Sequence, residues 1–135
     1  MPTHKYFILL ISDQDRGYWH DLLNEAISDL GKIDFRKNKG ILYKSDYGTY
    51  DLIIIDVKDF NKAINLTLKL RAKYSFLRII IVVGIPTWRR VRKMFLSGAA
   101  DYLVNSINKE KIRDQIVNII NNPPPIFPVQ EKINE

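Results

Sequence analysis

The sequence predicts a single doubly wound α/β domain in which a five-stranded parallel sheet carries helices on both faces. Three apolar runs predict the central strands: "YFILLI" at 6–11, "DLIIID" at 51–56 and "RIIIVVG" at 78–84. Each run is short, rich in β-branched residues and apolar on both faces, which is typical of strands buried between two layers of helices. Segments with helical periodicity alternate with these runs, as parallel strands require.

Two weaker runs complete the predicted sheet. Residues 33–35 predict an edge strand that precedes the second apolar run, and residues 102–104 predict a short last strand. This alternation of strands and helices favours the flavodoxin-like strand order 2-1-3-4-5.

The helices are predicted from apolar residues spaced three and four apart. The first helix is predicted to end at Gly31, because glycine commonly ends a helix. The helix after the fourth strand is predicted to turn Trp88, Val91 and Phe95 toward the core. The last helix contains four spaced isoleucines and begins after Asn108, a residue type that commonly caps a helix N-terminus.

Two segments between the strands are less regular. The stretch "AINLTLKL" at 63–70 alternates like a strand but also carries a helical stripe. We predict a helix there, because neighbouring parallel strands need a crossover connection. Residues 37–49 contain two glycines and predict at most a short, irregular helix. Counting that short helix, the helix after the fourth strand is the fourth and the last helix is the fifth.

The chain of 135 residues is long enough for one domain with one core. We predict that the domain spans residues 1–121, and that residues 122–135 form a proline-rich extended tail or linker stub, since consecutive prolines cannot continue a helix. The absence of cysteine excludes disulfides and thiolate chemistry, and two histidines are too few for a zinc site. With neither a signal-peptide pattern nor a membrane-length apolar run, a cytoplasmic location is expected.

The sequence lacks the common catalytic and nucleotide-binding patterns. No glycine-rich fingerprint follows the first strand, no Walker-type sequence occurs, and no serine nucleophile with a partner base is visible. We therefore expect no enzymatic activity and no required cofactor.

Acidic residues follow two neighbouring central strands, at the sheet edge where ligands bind in open α/β folds. The carboxylates of Asp13 and Asp56 are expected to converge there, and a hard cation such as Mg²⁺ would relieve their repulsion. The alternative is that Asp13 caps the following helix while Asp56 pairs with Lys58.

Three stretches resemble the receiver domain of two-component response regulators, the CheY-like superfamily. They are "LISDQD" at 10–15, "YDLIIIDV" at 50–57 and "SGAADYLVNS" at 97–106, and the resemblance extends over about residues 6–120. The resemblance implies that Asp56 stands at the phosphoacceptor position and Tyr102 at the position of the switch aromatic.

Other switch positions of that family carry different residues. The resemblance places Ser12 where one metal-binding acid stands, so Mg²⁺ binding by Asp13 and Asp56 would be weak or absent. It places Val83 at the Ser/Thr position and Asn105 at the lysine position, which removes both contacts to a phosphoryl group. A charge-assisted contact of the lysine kind is worth about 1.5–3 kcal/mol. A ligand shifts an equilibrium only through differential contacts, so the resemblance implies a degenerate pseudo-receiver.

We expect a regulatory protein–protein interaction module in two-component signalling that works without phosphorylation. By the resemblance, a partner with an acidic surface, or a second copy of the chain, would bind the face formed by the fourth helix, the fifth strand and the fifth helix. Four cations of the fourth helix are the candidate contacts: Arg89, Arg90, Arg92 and Lys93.

Two alternatives remain open. One is an atypical phosphoacceptor that uses Asp56, with Lys58 in place of the missing lysine. The other is nucleic-acid binding through the basic fourth helix, which the net charge of +6 permits. Nucleic acid is the less favoured partner because Trp88 and Val91 are expected to face inward, which leaves no base-stacking aromatic among the outer cations. No membrane partner is expected.

Overall fold

Five parallel strands form one sheet in the order β2-β1-β3-β4-β5. The computed structural model describes residues 6–14, 17–38, 47–104 and 108–129. Its strands are β1 (Tyr6–Ser12), β2 (Gly31–Lys37), β3 (Leu52–Asp56), β4 (Ile79–Val83) and β5 (Asp101–Val104). The predicted fold class and strand order are confirmed.

Four helices cover the sheet: α1 (Tyr18–Ile27), α2 (Phe60–Lys73), α3 (Trp88–Leu96) and α4 (Lys109–Ile120). The ambiguous stretch 63–70 lies inside α2, so the helix predicted there is confirmed. Of the segment predicted as a short irregular helix, Tyr47–Thr49 forms a 3-10 turn, and residues 39–46 lie outside the described residues.

The core has two layers because successive residues of a strand point to opposite faces. In β1, β3 and β4 the odd-numbered residues belong to one buried cluster and the even-numbered residues to the other. Residues of α2 and α3 join the odd-numbered cluster, including Leu70 and Met94. Residues of α1 and α4 join the even-numbered cluster, including Leu23 and Ile116. The runs of isoleucine are therefore apolar on both faces because both faces are covered.

Side-chain caps fix the starts of three helices. The side chains of Asp59, Thr87 and Asn108 accept hydrogen bonds from backbone N–H groups in the first turns of α2, α3 and α4. Each such cap stabilises a helix by about 1 kcal/mol. The predicted N-cap at Asn108 is confirmed.

The predicted end of the first helix at Gly31 is wrong. Helix α1 already ends at Ile27, and Gly31 is the first residue of β2. A Cβ at this position would lie 2.8 Å from the carbonyl oxygen of Tyr6 on the neighbouring strand. The glycine therefore allows a close approach of two strands, and its role is not that of a helix terminator.

The predicted inward orientation of Trp88 and Phe95 is also wrong. The side chain of Trp88 is 73% exposed and that of Phe95 is 40% exposed, whereas Met94 is fully buried. Val91 is half-buried and packs on the core, as predicted. The helix thus docks through the stripe of Val91 and Met94, and Trp88 lies about 120° around the helix axis from Met94.

The stretch after α4 runs back over the domain. Residues 123–126 have no regular secondary structure, as expected of the proline-rich sequence. The carbonyl oxygen of Pro125 accepts a hydrogen bond from the buried Arg71, and that of Asn122 accepts one from Arg78. The division of the chain after residue 121 stays a prediction, but the residues beyond it, up to Val129, include several that contact the domain.

None of the helices in the described part of the chain is long and apolar enough to cross a membrane.

Candidate functional site at the carboxyl edge of the sheet

The parallel register places the carboxyl ends of β1 and β3 side by side. Ser12 and Asp56 are the last residues of β1 and β3, and they are paired in the strand register. Because the strands are buried apolar runs up to these positions, the first polar side chains appear where the strands end. Asp13 directly follows Ser12, so three of the predicted site residues lie together.

Asp56 receives a hydrogen bond from a neutral neighbour. The hydroxyl of Ser12 donates to Oδ2 of Asp56 at 3.1 Å, and the backbone N–H of Gln14 donates to the same hydroxyl oxygen at 3.1 Å. The Ser12 side chain is 2% exposed, and both bonds satisfy it. Ser12 therefore orients the Asp56 carboxylate.

Asp13 ties together the loops that follow β1 and β3. Its Oδ2 accepts a hydrogen bond from the backbone N–H of Lys58 at 3.0 Å, and its own N–H donates to the carbonyl of Asp56 at 3.3 Å. The N-cap of α1 is Gly17, with no side-chain hydrogen bond. The alternative in which Asp13 caps the first helix is therefore wrong.

The Asp56 carboxyl group is harder to ionise than an ordinary aspartate. Burial raises its pKa, and the negative charge of Asp13 adds to that rise. The hydrogen bond from Ser12 and the positive charge of Lys58 act in the opposite direction but do not cancel it. No ion pair joins Asp56 to Lys58 within the described ranges, so the alternative in which these two side chains pair is not formed.

The end of β4 places an apolar side chain beside the site. Val83 is the last residue of β4, is buried, and lines a cleft of about 320 Å³ together with Asp56 and Lys58. A valine side chain offers no hydrogen bond to an anion in that cleft. Arg90 also lines the cleft, with its guanidinium 3.3 Å from the carbonyl oxygen of Ile85. The sequence predicted Arg90 only as part of an outward-facing cluster.

The family resemblance implies a magnesium site, and the donor set for it is small. It consists of the carboxylates of Asp13 and Asp56, of which one oxygen of Asp13 already accepts a backbone hydrogen bond. In the described ranges no group of three or more His, Cys, Asp or Glu side chains could hold a metal ion. Mg²⁺ is usually held by one or two carboxylates together with several waters, so these two carboxylates fit the ion only where water or a bound phosphate completes its coordination. Asn105, at the predicted lysine position, lies outside the described residues.

The fourth strand is followed by an exposed basic and aromatic helix, α3. Arg89, Arg92 and Lys93 are exposed, and together with Trp88 they line a groove between α2 and α3. On another side of the helix, the ring of Phe95 contacts the ring of Tyr102 on β5, with centroids 6.4 Å apart. The carbonyl oxygen of Tyr102 in turn accepts a hydrogen bond from Gln115 of α4 at 2.6 Å. These contacts join α3, β5 and α4 into one face.

No protein family model and no curated protein matches the sequence. Among solved structures, the chain is similar to HP1043, an orphan response regulator of H. pylori, with 17% identity and a TM-score of 0.71, covering 89% of this chain and 100% of that one. It is similar to the chemotaxis response regulator CheY4 of Vibrio cholerae, with 17% identity and a TM-score of 0.70, covering 84% and 98% of the two chains. The chain is also similar to the BeF3-activated receiver domain of DrrB, with 15% identity and a TM-score of 0.68, covering 87% of this chain and 98% of that one.

These similarities confirm the resemblance at the level of the fold. The matched response regulators superpose on most of this chain, whose sheet has the strand order 2-1-3-4-5. The chain therefore has the receiver fold of the CheY-like response regulators.

Proposed function

We propose that this chain is a cytoplasmic receiver-like signalling module that acts by binding a protein partner, and that Asp56 is not its switch. In this proposal the domain has no enzymatic activity and needs no cofactor, and Mg²⁺ binds weakly or not at all. The receiver fold supports the signalling role, because that fold is used as a regulatory module in the solved structures that resemble it.

One observation carries the proposal: the residues that end β1 and β4 beside the phosphoacceptor position, Ser12 and Val83, are neutral. The hydroxyl of Ser12 is bonded to Asp56, and the methyl groups of Val83 line the cleft beside it. Phosphorylation of Asp56 would add negative charge next to Asp13, with no hydroxyl at the end of β4 and with Ser12 in place of a second acid at the end of β1. The phosphorylated and free forms would then differ by few contacts, and a conformational equilibrium would barely respond.

A face formed by α3, β5 and α4 is the proposed partner surface. It carries the exposed ring of Phe95, the half-buried ring of Tyr102 and the exposed guanidinium of Arg92. Aromatic and arginine side chains dominate the binding energy of protein interfaces. The positive charge of this helix favours a partner with an acidic surface, since complementary charge steers association and orients the partner.

The phosphorylation part of the proposal is tested with a small phosphodonor. The protein is incubated with acetyl phosphate and Mg²⁺, and its mass and its amide NMR spectrum are recorded. We expect no phosphoryl adduct and no shift of the Tyr102 resonance. A stable adduct on Asp56 that moves Tyr102 would instead establish the atypical phosphoacceptor.

The partner surface is tested with surface variants that should keep the fold of the wild type. The full chain, a double variant Arg92→Glu/Phe95→Ser and a control Lys32→Glu at the edge strand are immobilised and exposed to extract of the source cells. We expect the wild type and the control to retain the same protein, and the double variant to lose it. Added salt should weaken the binding, because exposed charges are screened within about 8–10 Å at physiological ionic strength. Retention by the double variant would place the partner surface elsewhere.

A further inference from the structure

Among the described residues, the groove between α2 and α3 is lined by cations and by no carboxylate. Its volume is about 660 Å³, and α2 contributes Phe60 and Asn61 to it. Helix α3 contributes Leu96 and a tryptophan with four cations: Trp88, Arg89, Arg90, Arg92 and Lys93. A concave surface with charge of one sign attracts an oppositely charged ligand and raises its local concentration. The groove therefore favours an anion.

The mouth of this groove carries an exposed indole ring. Trp88 is 73% exposed, whereas the other tryptophan, Trp19, is 5% exposed and belongs to the core. The expectation that α3 has no aromatic side chain among its outer cations fails at this residue. A flat, exposed ring flanked by arginines is the arrangement on which unpaired nucleobases stack, while the cations hold the phosphates.

The wall that α2 contributes carries amide side chains. Asn61 and Asn65 are both exposed and are one helical turn apart, so they follow one another along the groove. A second depression of about 400 Å³ continues from the first, shares Asn61, Lys93 and Leu96 with it, and adds Asn65 to its lining. Amides donate and accept hydrogen bonds and can meet the edges of unpaired bases.

The combination of these three features discriminates between polyanions. An anionic membrane would need a flat or convex apolar surface, and this site is a groove with amides along it. An acidic protein segment would match the cations and could pack a side chain on the indole, but its carboxylates do not alternate regularly with flat rings as the phosphates of a single strand do. Duplex nucleic acid has its bases stacked internally and would leave Trp88 unused. A single strand offers regularly spaced phosphates, exposed base faces and exposed base edges together.

We propose that the α2–α3 groove binds single-stranded nucleic acid, with one base stacked on Trp88 and phosphates held by Arg89 and Lys93. Helix α3 has nine residues and is about 13 Å long, which limits the contact to a few nucleotides. Guanidinium groups suit this role because they pair with phosphate oxygens in two places. The inference goes beyond the protein-binding role, since it depends neither on Asp56 nor on the Phe95–Tyr102 contact.

Fluorescence anisotropy with two labelled probes, a 20-nucleotide oligo(dT) and a 20-nucleotide oligo(U), tests the proposal. We expect saturable binding at 50 mM salt that weakens at 200 mM, because bound phosphates release counterions. Trp88→Ala should weaken binding by about 5- to 150-fold, the range corresponding to about 1–3 kcal/mol for one stacked base. Arg89→Glu/Lys93→Glu should abolish it.

Two controls distinguish binding at this groove from nonspecific attraction of a polyanion to a basic protein. Lys109→Glu/Lys111→Glu makes the same change of net charge on exposed residues of α4, and it should weaken binding far less than the groove variant. In a Trp19→Phe background, Trp88 is the sole tryptophan, and its fluorescence should be quenched as the probe saturates the protein. The single variant Phe95→Ser changes the protein-binding face without changing a residue that lines the groove, so loss of a protein partner and loss of the oligonucleotide can be told apart.

Several outcomes would overturn the inference. One is no binding of either probe at 50 mM salt, and another is binding that Trp88→Ala leaves unchanged. Equal affinity for polyglutamate, or for a 20-base-pair duplex, would show that charge alone is recognised. Binding confined to vesicles of phosphatidylcholine and phosphatidylserine would assign the surface to a membrane. Thermal melting of each variant confirms that it is folded before its binding is compared.

Discussion

Replacement of Arg71 by alanine is expected to weaken the domain more than any surface substitution. This side chain on α2 is 1% exposed and donates hydrogen bonds to three backbone carbonyls. Nη1 donates to Gly98 at 2.6 Å, and Nη2 donates to Ser75 at 2.9 Å and to Pro125 at 2.6 Å. The guanidinium also lies 5.5 Å from the ring centroid of Phe127. One arginine thus joins α2, the turn before β5 and the chain after α4.

The expected loss of unfolding free energy follows from the hydrogen bonds that each acceptor loses. The Gly98 carbonyl lies in a buried turn and loses a charge-assisted bond worth about 1.5–3 kcal/mol. The hydrogen bonds to Ser75 and Pro125 are only partly buried, so water replaces part of each. Burial lowers the pKa of Arg71, which reflects the unfavourable desolvation of its charge and offsets some of the gain. We therefore expect a net loss of about 3–4 kcal/mol, a large share of the 5–15 kcal/mol typical of a domain.

Urea unfolding followed by circular dichroism measures this loss. The set is the wild type, Arg71→Ala, Phe127→Ala and the double variant, with Lys69→Ala as the control on the exposed side of the same helix. The control should change the free energy of unfolding by less than about 0.5 kcal/mol. The two single losses should not add, because Arg71 and Phe127 contact each other, and we expect a coupling energy of about 1 kcal/mol.

The reasoning is refuted if Arg71→Ala lowers the free energy of unfolding by less than about 1 kcal/mol. Additivity of Arg71→Ala and Phe127→Ala would show that the chain after α4 is not held by this arginine. Truncation after Asn121 gives an independent measure, since it removes both Pro125 and Phe127 while leaving the core intact. If the truncated chain is as stable as the full chain, residues 1–121 are the complete folding unit.

Three further substitutions have expected outcomes. Gly98→Ala should lower the melting temperature by several degrees, because Gly98 has φ +99° and a Cβ there would lie 2.8 Å from both Arg71 and Phe127. Ser12→Ala should raise the pKa of Asp56 further, as measured by carboxyl NMR titration, because it removes a hydrogen bond to the charged form. Asp56→Asn should increase the free energy of unfolding at pH 7, as measured by urea titration.

The sheet could be predicted from sequence because its physical signal is local. Runs such as Ile79–Val83 are apolar at every position, and only strands covered on both faces bury every position. The ends of neighbouring parallel strands meet at one edge of the sheet, so the proximity of Asp13 and Asp56 could be predicted too. The hydrogen-bond partners could not, since they depend on side-chain rotamers that place Asp13 on the backbone of Lys58.

The orientation of α3 could not be predicted because its sequence contains two competing stripes. Trp88, Val91 and Phe95 are spaced as an apolar face, and so are Val91 and Met94. Which stripe faces the sheet is decided by packing against the odd-numbered face of the sheet, where Met94 is fully buried. Hydrophobicity alone would favour burial of Trp88, but the way the helix docks on the sheet leaves this side chain exposed.

The buried role of Arg71 was likewise invisible in the sequence. A single arginine in an amphipathic helix usually lies on the solvated face, and its acceptors here are backbone carbonyls, which every residue carries. No ion pair with Arg71 is formed in the part of the chain that the structure describes. The glycine of the turn is the single indirect signal, because Gly98 leaves room for the arginine side chain.

The Asp56→Asn prediction distinguishes a charge effect from a packing effect through its pH dependence. Burial and Asp13 raise the pKa of Asp56 in the folded protein, so the folded state binds this proton more tightly than the unfolded state. As pH rises from the ordinary aspartate value through the raised value, the wild type loses stability, and above both values the loss is complete. Asparagine keeps the shape and can accept the hydrogen bond from Ser12 without a charge. Its advantage should therefore be largest near pH 7 and shrink as pH falls, whereas a constant difference would assign it to packing. An ionised Asp56 that destabilises the fold is what a site should give where the charge of Lys58 does not offset burial and the charge of Asp13.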